Sequence, residues 1–113
     1  MSGIDKQLKK GVLNILILKM INRKDMYGYE LIQIMDEKSN GYFKLKEGSL
    51  YPVLYRLEDE GLIESYWNQE PYKRTVPRKY YKITKKGKAV LKVYIEEWND
   101  FLESTKSILK GDE

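Results

Sequence analysis

Neither cysteine nor histidine occurs among these 113 residues. The missing cysteine excludes disulfides and thiolate metal sites, and it suits a reducing cytoplasm. The missing histidine removes zinc-finger ligands, imidazole acid–base chemistry and a Ser-His-Asp triad. No cluster of side chains offers a general base poised by a neighbour, and Ser49 has no imidazole to activate it, so the chain reads as a non-enzyme without metal or cofactor. Long apolar runs are missing too. The longest, Val12 to Ile21, is broken by Asn14 and Lys19 and is too short to span a bilayer. The polar start MSGIDKQLKK predicts no secretory signal and no membrane partner. Internal repeats and low-complexity segments are absent as well. The length predicts one domain, large enough to bury roughly 65% of the surface its unfolded chain exposes.

Charge is what the chain has in plenty, and its distribution says more than its net value of +4. From Pro71 to Ile95 there are nine Lys or Arg and no Asp or Glu, whereas Glu96 to Glu113 carries six acids against two bases. A local block of one sign acts on partners, here polyanions; a merely solvated lysine-rich surface is the plainer alternative.

Periodicity predicts a helix over 5–22 whose second half is apolar around nearly its whole circumference, so that it is buried on more than one side, within the chain or against another subunit. After a turn at Asn22 to Asp25, a second helix is expected over 26–38, closed by Ser39-Asn40-Gly41. A short extended link, Tyr42 to Lys46, leads to a third helix, EGSLYPVLYRLEDEGLI, starting near Glu47 to Ser49. With Ser49 as its cap, Pro52 would fall safely in the first turn; Gly61 ends it as a left-handed cap. At about 100° per residue, Leu50, Val53, Leu54 and Leu57 share a core face, while Pro52, Tyr55 and Arg56 point away, with Ser49 and Tyr51 at the margins. Two strands follow, Ile63 to Gln69 and Arg78 to Thr84, around a hairpin tip bounded by Pro71 and Pro77. Thr84 caps a final helix reaching about Leu109.

That final helix places Leu91, Ile95, Trp98, Leu102 and Leu109 at a heptad-like spacing, with Val90, Tyr94, Phe101 and Ile108 widening the stripe. At about 37 Å it is longer than a small domain needs, and it predicts a homodimer through this helix. The expected organisation is a winged helix-turn-helix head over 1–84 and a dimerisation helix over 85–113, in one mostly α, α+β unit. The third helix would enter the major groove and a two-stranded β-wing would touch the backbone.

YGYELIQIM at Tyr27–Met35, the Glu47–Ile63 segment and RKYYKITKKG at Arg78–Gly87 together closely resemble the PadR family of bacterial transcriptional regulators, over about Leu13 to Leu109, and the single-helix tail resembles its shorter subgroup. The resemblance implies a sequence-specific regulator, a repressor by the family's habit, on double-stranded DNA with a pseudo-palindromic operator. It implies that Ser49, Tyr51, Pro52, Tyr55 and Arg56 lie on the reading helix; Arg56 takes either a guanine edge or a phosphate. Tyr27 either bonds phosphate or packs beside Met26. Lys73, Arg74, Arg78 and Lys79 are expected phosphate contacts on or near the wing. The first and last helices are expected to build the dimer, through Leu13, Leu16, Leu91, Ile95, Trp98, Phe101, Leu102 and Leu109. In multidrug-binding relatives a tryptophan on the last helix sandwiches a flat ligand. Trp98 resembles it, implying a small aromatic or cationic effector, and an ordinary seam residue is the other reading. The competing class is a winged-helix module that binds hydrophobic ligands or proteins and does not read DNA.

Overall fold

The computed structural model describes residues 3–68 and 76–111. The order is α1 (Gly3–Arg23), β1 (Met26–Tyr27), α2 (Gly28–Lys38), α3 (Glu47–Asp59), β2 (Ile63–Asn68), β3 (Arg78–Ile83) and α4 (Lys85–Leu109). The sheet is antiparallel in the order β1-β3-β2, with Tyr27 and Tyr66 both opposite Tyr80 and Ser65 opposite Tyr81. Sequence periodicity assigns Met26 and Tyr27 to α2. They form an edge strand instead, because Met26 is drawn into the core beside Tyr81 while Tyr27 packs its ring against Tyr80 at 5.3 Å.

The core is a single apolar cluster. Ile17, Leu18 and Ile21 of α1, Leu31 of α2, Leu50, Leu54 and Leu57 of α3, Leu62, Ile63 and Tyr81 are essentially sealed from water. The apolar second half of α1 is thus largely buried within one chain. Leu13 and Leu91, expected at a subunit contact, are 7% and 3% exposed and belong to this core.

Local chemistry sets the helix ends. α3 starts at Glu47, so Ser49 is inside the helix and is not its cap. The Ser49 and Leu50 N–H groups donate to the Lys46 carbonyl at 3.0 and 2.9 Å. Pro52 is therefore a helix-interior proline with no N–H for the carbonyl four residues back, that of Gly48, which lies on an exposed stretch where water can serve it. At the other end Gly61, with φ of +76°, permits the paired bonds Gly61 N–H to Glu58 and Leu62 N–H to Leu57, both 2.9 Å. Asn40, with φ of +52°, closes α2 in the same way.

α4 is fastened where it begins. The Thr84 hydroxyl accepts from the Gly87 N–H at 2.9 Å and donates to the Gly61 carbonyl at 2.7 Å. The Thr84 N–H donates to the Leu62 carbonyl at 3.0 Å. Gly87 is buried so closely that an added Cβ would run into the Leu62 carbonyl and stand 2.7 Å from Ile83 Cγ1. From there α4 extends away, and the molecule measures 66 Å along its long axis against 20 Å along its short one.

Candidate nucleic-acid interface

Thirteen residues of α3 sort cleanly into two faces. Leu50, Val53, Leu54 and Leu57 anchor the helix in the core. Gly48, Ser49, Pro52, Tyr55, Arg56 and Asp59 face solvent. Four of the five predicted reading residues therefore share an accessible surface. The fifth, Tyr51, leans into the protein: its ring lies over Gly28 at the start of α2, and loss of solvation, more than the nearby Glu47, raises its phenol above the ordinary value. Its ring stands 6.1 Å from that of Tyr55 and props the exposed tyrosine from behind.

Arg56 sits on the flank of α3 nearest α1 and donates from Nη2 to Asn14 Oδ1 at 3.0 Å. No sequence signal marked Asn14, because the contact spans 42 residues. On the opposite flank Ser65 Oγ donates to Glu58 Oε2 at 2.6 Å, tying α3 to β2. The charges on α3 are polarised. Glu58, Asp59 and Glu60 crowd its C-terminal end, whereas Lys44 and Lys46 precede its N-terminus. The small, exposed Gly48 and Ser49 leave the surface of the N-terminal half low.

The hairpin β2–β3 stands beside this helix. Arg78 is exposed and lays its guanidinium 4.6 Å over the ring of Tyr27, which in turn meets Tyr80; Tyr66 stacks on Tyr80 at 5.7 Å. Tyr27 is thus half-buried in an aromatic row across the sheet, beside an arginine and not beside Met26, whose side chain enters the opposite face. Tyr66 donates to Asp25 Oδ2 at 2.6 Å, and this bond holds its hydroxyl protonated up to about 12. On the other sheet face Lys79 Nζ lies 5.8 Å from the ring centre of Tyr81. Lys73 and Arg74 lie outside the described residues. Trp67, unmarked by sequence reasoning as a site, ends β2 with 67% of its surface exposed. Among the described residues no group of acidic side chains could hold a metal ion, and no helix is long and apolar enough to cross a membrane.

The comparisons with known proteins agree with this geometry. Residues 17–93 match the pattern that defines the Transcriptional regulator PadR-like family. The chain belongs to the PadR-like family of transcriptional regulators. It is similar to the HTH-type transcriptional regulator MJ0361 of Methanocaldococcus jannaschii, 30% identical over 97 residues that cover 86% of this chain and 77% of that one. An uncharacterized protein of Lysinibacillus sphaericus is 38% identical over 102 residues, 90% of this chain and 92% of the other. Among solved structures, a PadR-like transcriptional regulator from Bacillus cereus superposes with a TM-score of 0.79 at 35% identity, covering 94% of this chain and 99% of that chain. A PadR family regulator from Eggerthella lenta gives 0.80 at 30% identity, over 94% and 88%. The fold is accordingly the PadR winged helix, and the protein is a regulator of transcription that works through DNA, not an enzyme.

The second half of α4 is less well covered. Ile95, Trp98 and Leu102 are half-buried, while Phe101, Ile108 and Leu109 are exposed. Trp98 stacks obliquely on Phe101 at 5.9 Å, and the pair helps line a groove of about 600 Å³ between α1 and α4. Leu8, Val12, Ile15 and Tyr94 form much of the rest of its wall, with Tyr42 and Phe43 at its edge.

Proposed function

We propose that this protein is a homodimeric, cytoplasmic repressor that binds a pseudo-palindromic operator. In this reading 1–84 is the head and 85–113 is the dimerisation helix. The observation that carries it is the solvent-facing row Ser49, Pro52, Tyr55 and Arg56 beside a basic hairpin, on a fold of this family. The guanidinium of Arg56 is steered by Asn14 toward the edge of the reading face, where the nearest DNA group is a phosphate and not a base edge. Arg78 and Lys79 supply further phosphate contacts, and Lys73 and Arg74, outside the described residues, are assigned the same role from the sequence alone.

The apolar residues left open on α4 support a second copy as its partner. With Leu13 and Leu91 already spent inside one chain, the seam falls to Leu16, Ile95, Trp98, Phe101, Leu102 and Leu109. Two heads held this way would present their α3 helices about 34–36 Å apart, one turn of duplex. Trp98, beside Phe101 and an apolar groove, suits a planar aromatic or cationic effector, with Glu97 on the groove wall to meet a positive charge. Such a ligand would relieve repression only by favouring one arrangement of the two heads over the other.

The test is selection of bound duplexes from a random pool by the purified protein, with sedimentation in parallel. A palindromic consensus bound by a dimer is expected, and Arg56→Ala should weaken its binding at least tenfold. Failure to enrich any sequence, with a groove that still takes up planar dyes, would favour the ligand-binding module instead. Loss of dye quenching in Trp98→Ala places the effector.

A further inference from the structure

Trp67 costs the protein something to display. A tryptophan offers one of the largest apolar surfaces of any side chain, yet here two-thirds of it faces water. Its direction follows from the sheet. Side chains alternate along β2, so Trp67 shares a face with Ile63, which is buried, and with Ser65, which bonds Glu58 on α3. Trp67 therefore points to the side of the hairpin that faces the reading helix, one step beyond the last contact between them. Its cross-strand partner is Lys79, which lies over Tyr81 on the same face. Trp67 and Lys79 of the hairpin thus face the flank of α3 that carries the exposed Tyr55 and the propping Tyr51, with Glu58, bonded to Ser65, on the same side.

We propose that one sugar–phosphate strand of the operator passes between the hairpin and α3 here, with the Trp67 indole packed flat against deoxyribose and Lys79 on the adjoining phosphate. This rests on the DNA-binding reading above and adds to it a contact that is not ionic. The occupant follows from charge and shape. The basic stretch that contains Lys79 carries no acid from Pro71 to Ile95, the facing Glu58 is engaged by the Ser65 hydroxyl, and a flat apolar ring beside a cation matches the alternation of sugar and phosphate along a strand. With α3 in the major groove, the strand that borders the groove must pass between helix and wing.

The experiment measures binding of the selected duplex, and of a scrambled duplex of equal composition, at several salt concentrations. Trp67→Ala should bind both about fivefold more weakly, the lower end of what aromatic packing on nucleic acid contributes, with the salt slope unchanged. Lys79→Ala should reduce the slope by about 0.9, the loss of one phosphate contact. Trp67→Phe should recover most of the affinity, and thermal melts should show all three variants folded, as positions outside the core allow. Equal affinity of Trp67→Ala and the unaltered protein overturns the proposal, as does a change of slope in Trp67→Ala as large as that in Lys79→Ala. If the unaltered protein binds no duplex at all, the reading of the whole molecule as a DNA-binding repressor fails first.

Discussion

Single residues in this protein carry more than their packing. Tyr81 is the clearest case. It is 1% exposed, and its hydroxyl is buried without a hydrogen-bond partner among the described residues, so desolvation holds the phenol protonated up to about 12. An unsatisfied buried hydroxyl costs about 1–3 kcal/mol. Tyr81→Phe keeps the ring under α3 and removes that cost, so urea unfolding should show a gain of about 1 kcal/mol. Asn14 works differently, through Arg56. Asn14→Leu leaves the guanidinium without its acceptor, and specific DNA binding should weaken severalfold while the melting temperature barely moves, because the bond is exposed. Quantitative binding and a thermal melt on the same sample separate these outcomes.

At the level of elements, punctuation residues and the β2–β3 hairpin were readable in advance, and the long-range contacts were not. Gly61 and Asn40-Gly41 end their helices, and Thr84 caps α4, because each choice is dictated by backbone angles within a few residues. The limits of α3 were legible as well, although Ser49 is interior and Pro52 sits deeper than a local rule allows. By contrast β1 is two residues long and pairs with Tyr80 and Tyr81, more than 50 positions away. Apolar spacing likewise marked Leu13 and Leu91 without telling whether their neighbours lie in the same chain. The solvent face of α3 was legible from helical spacing; the Asn14–Arg56 bond and the direction of Trp67 needed coordinates. Two predictions belong here. Thr84→Ala removes a capping acceptor and should cost about 1 kcal/mol in denaturant unfolding. The second concerns the link into α3. Tyr42 donates to Asp5 Oδ1 at 2.8 Å, and Lys9 both pairs with Asp5 at 3.3 Å and covers the Tyr42 ring. The hydrogen bond, with help from Lys9, lowers the Asp5 carboxyl below 3.8, and the same bond raises the Tyr42 phenol above 10.0. A lowered carboxylate contributes stability above its unfolded value and loses it as pH falls through the folded one; a raised phenol contributes below 10.0 and loses it as pH rises further. The tie should therefore hold between about pH 4 and about pH 10. Tyr42→Phe should narrow the stability difference at both ends of that range, as unfolding at a series of pH values would reveal.

For the molecule as a whole, the high-pH limit is set by its tyrosines. Tyr66 is held by Asp25 and Tyr81 by burial, both up to about 12, against an ordinary value of 10.0. Folded values above unfolded ones mean that stability is complete below pH 10 and falls as pH approaches 12, so phenolate absorbance should report two late-titrating groups that appear together with unfolding. The same scale brings out what the crowded start of α4 implies. Thr84 grips the Gly61 carbonyl, Lys86 Nζ grips that of Glu60 at 3.0 Å, and Gly87 leaves no gap against Leu62. Such a joint has no play. The rod and the turn that follows the reading helix must move as one stiff lever, so any angular change imposed at its far end arrives undiminished at the wing, and two glycines inserted after Thr84 would disconnect the handle from the blade.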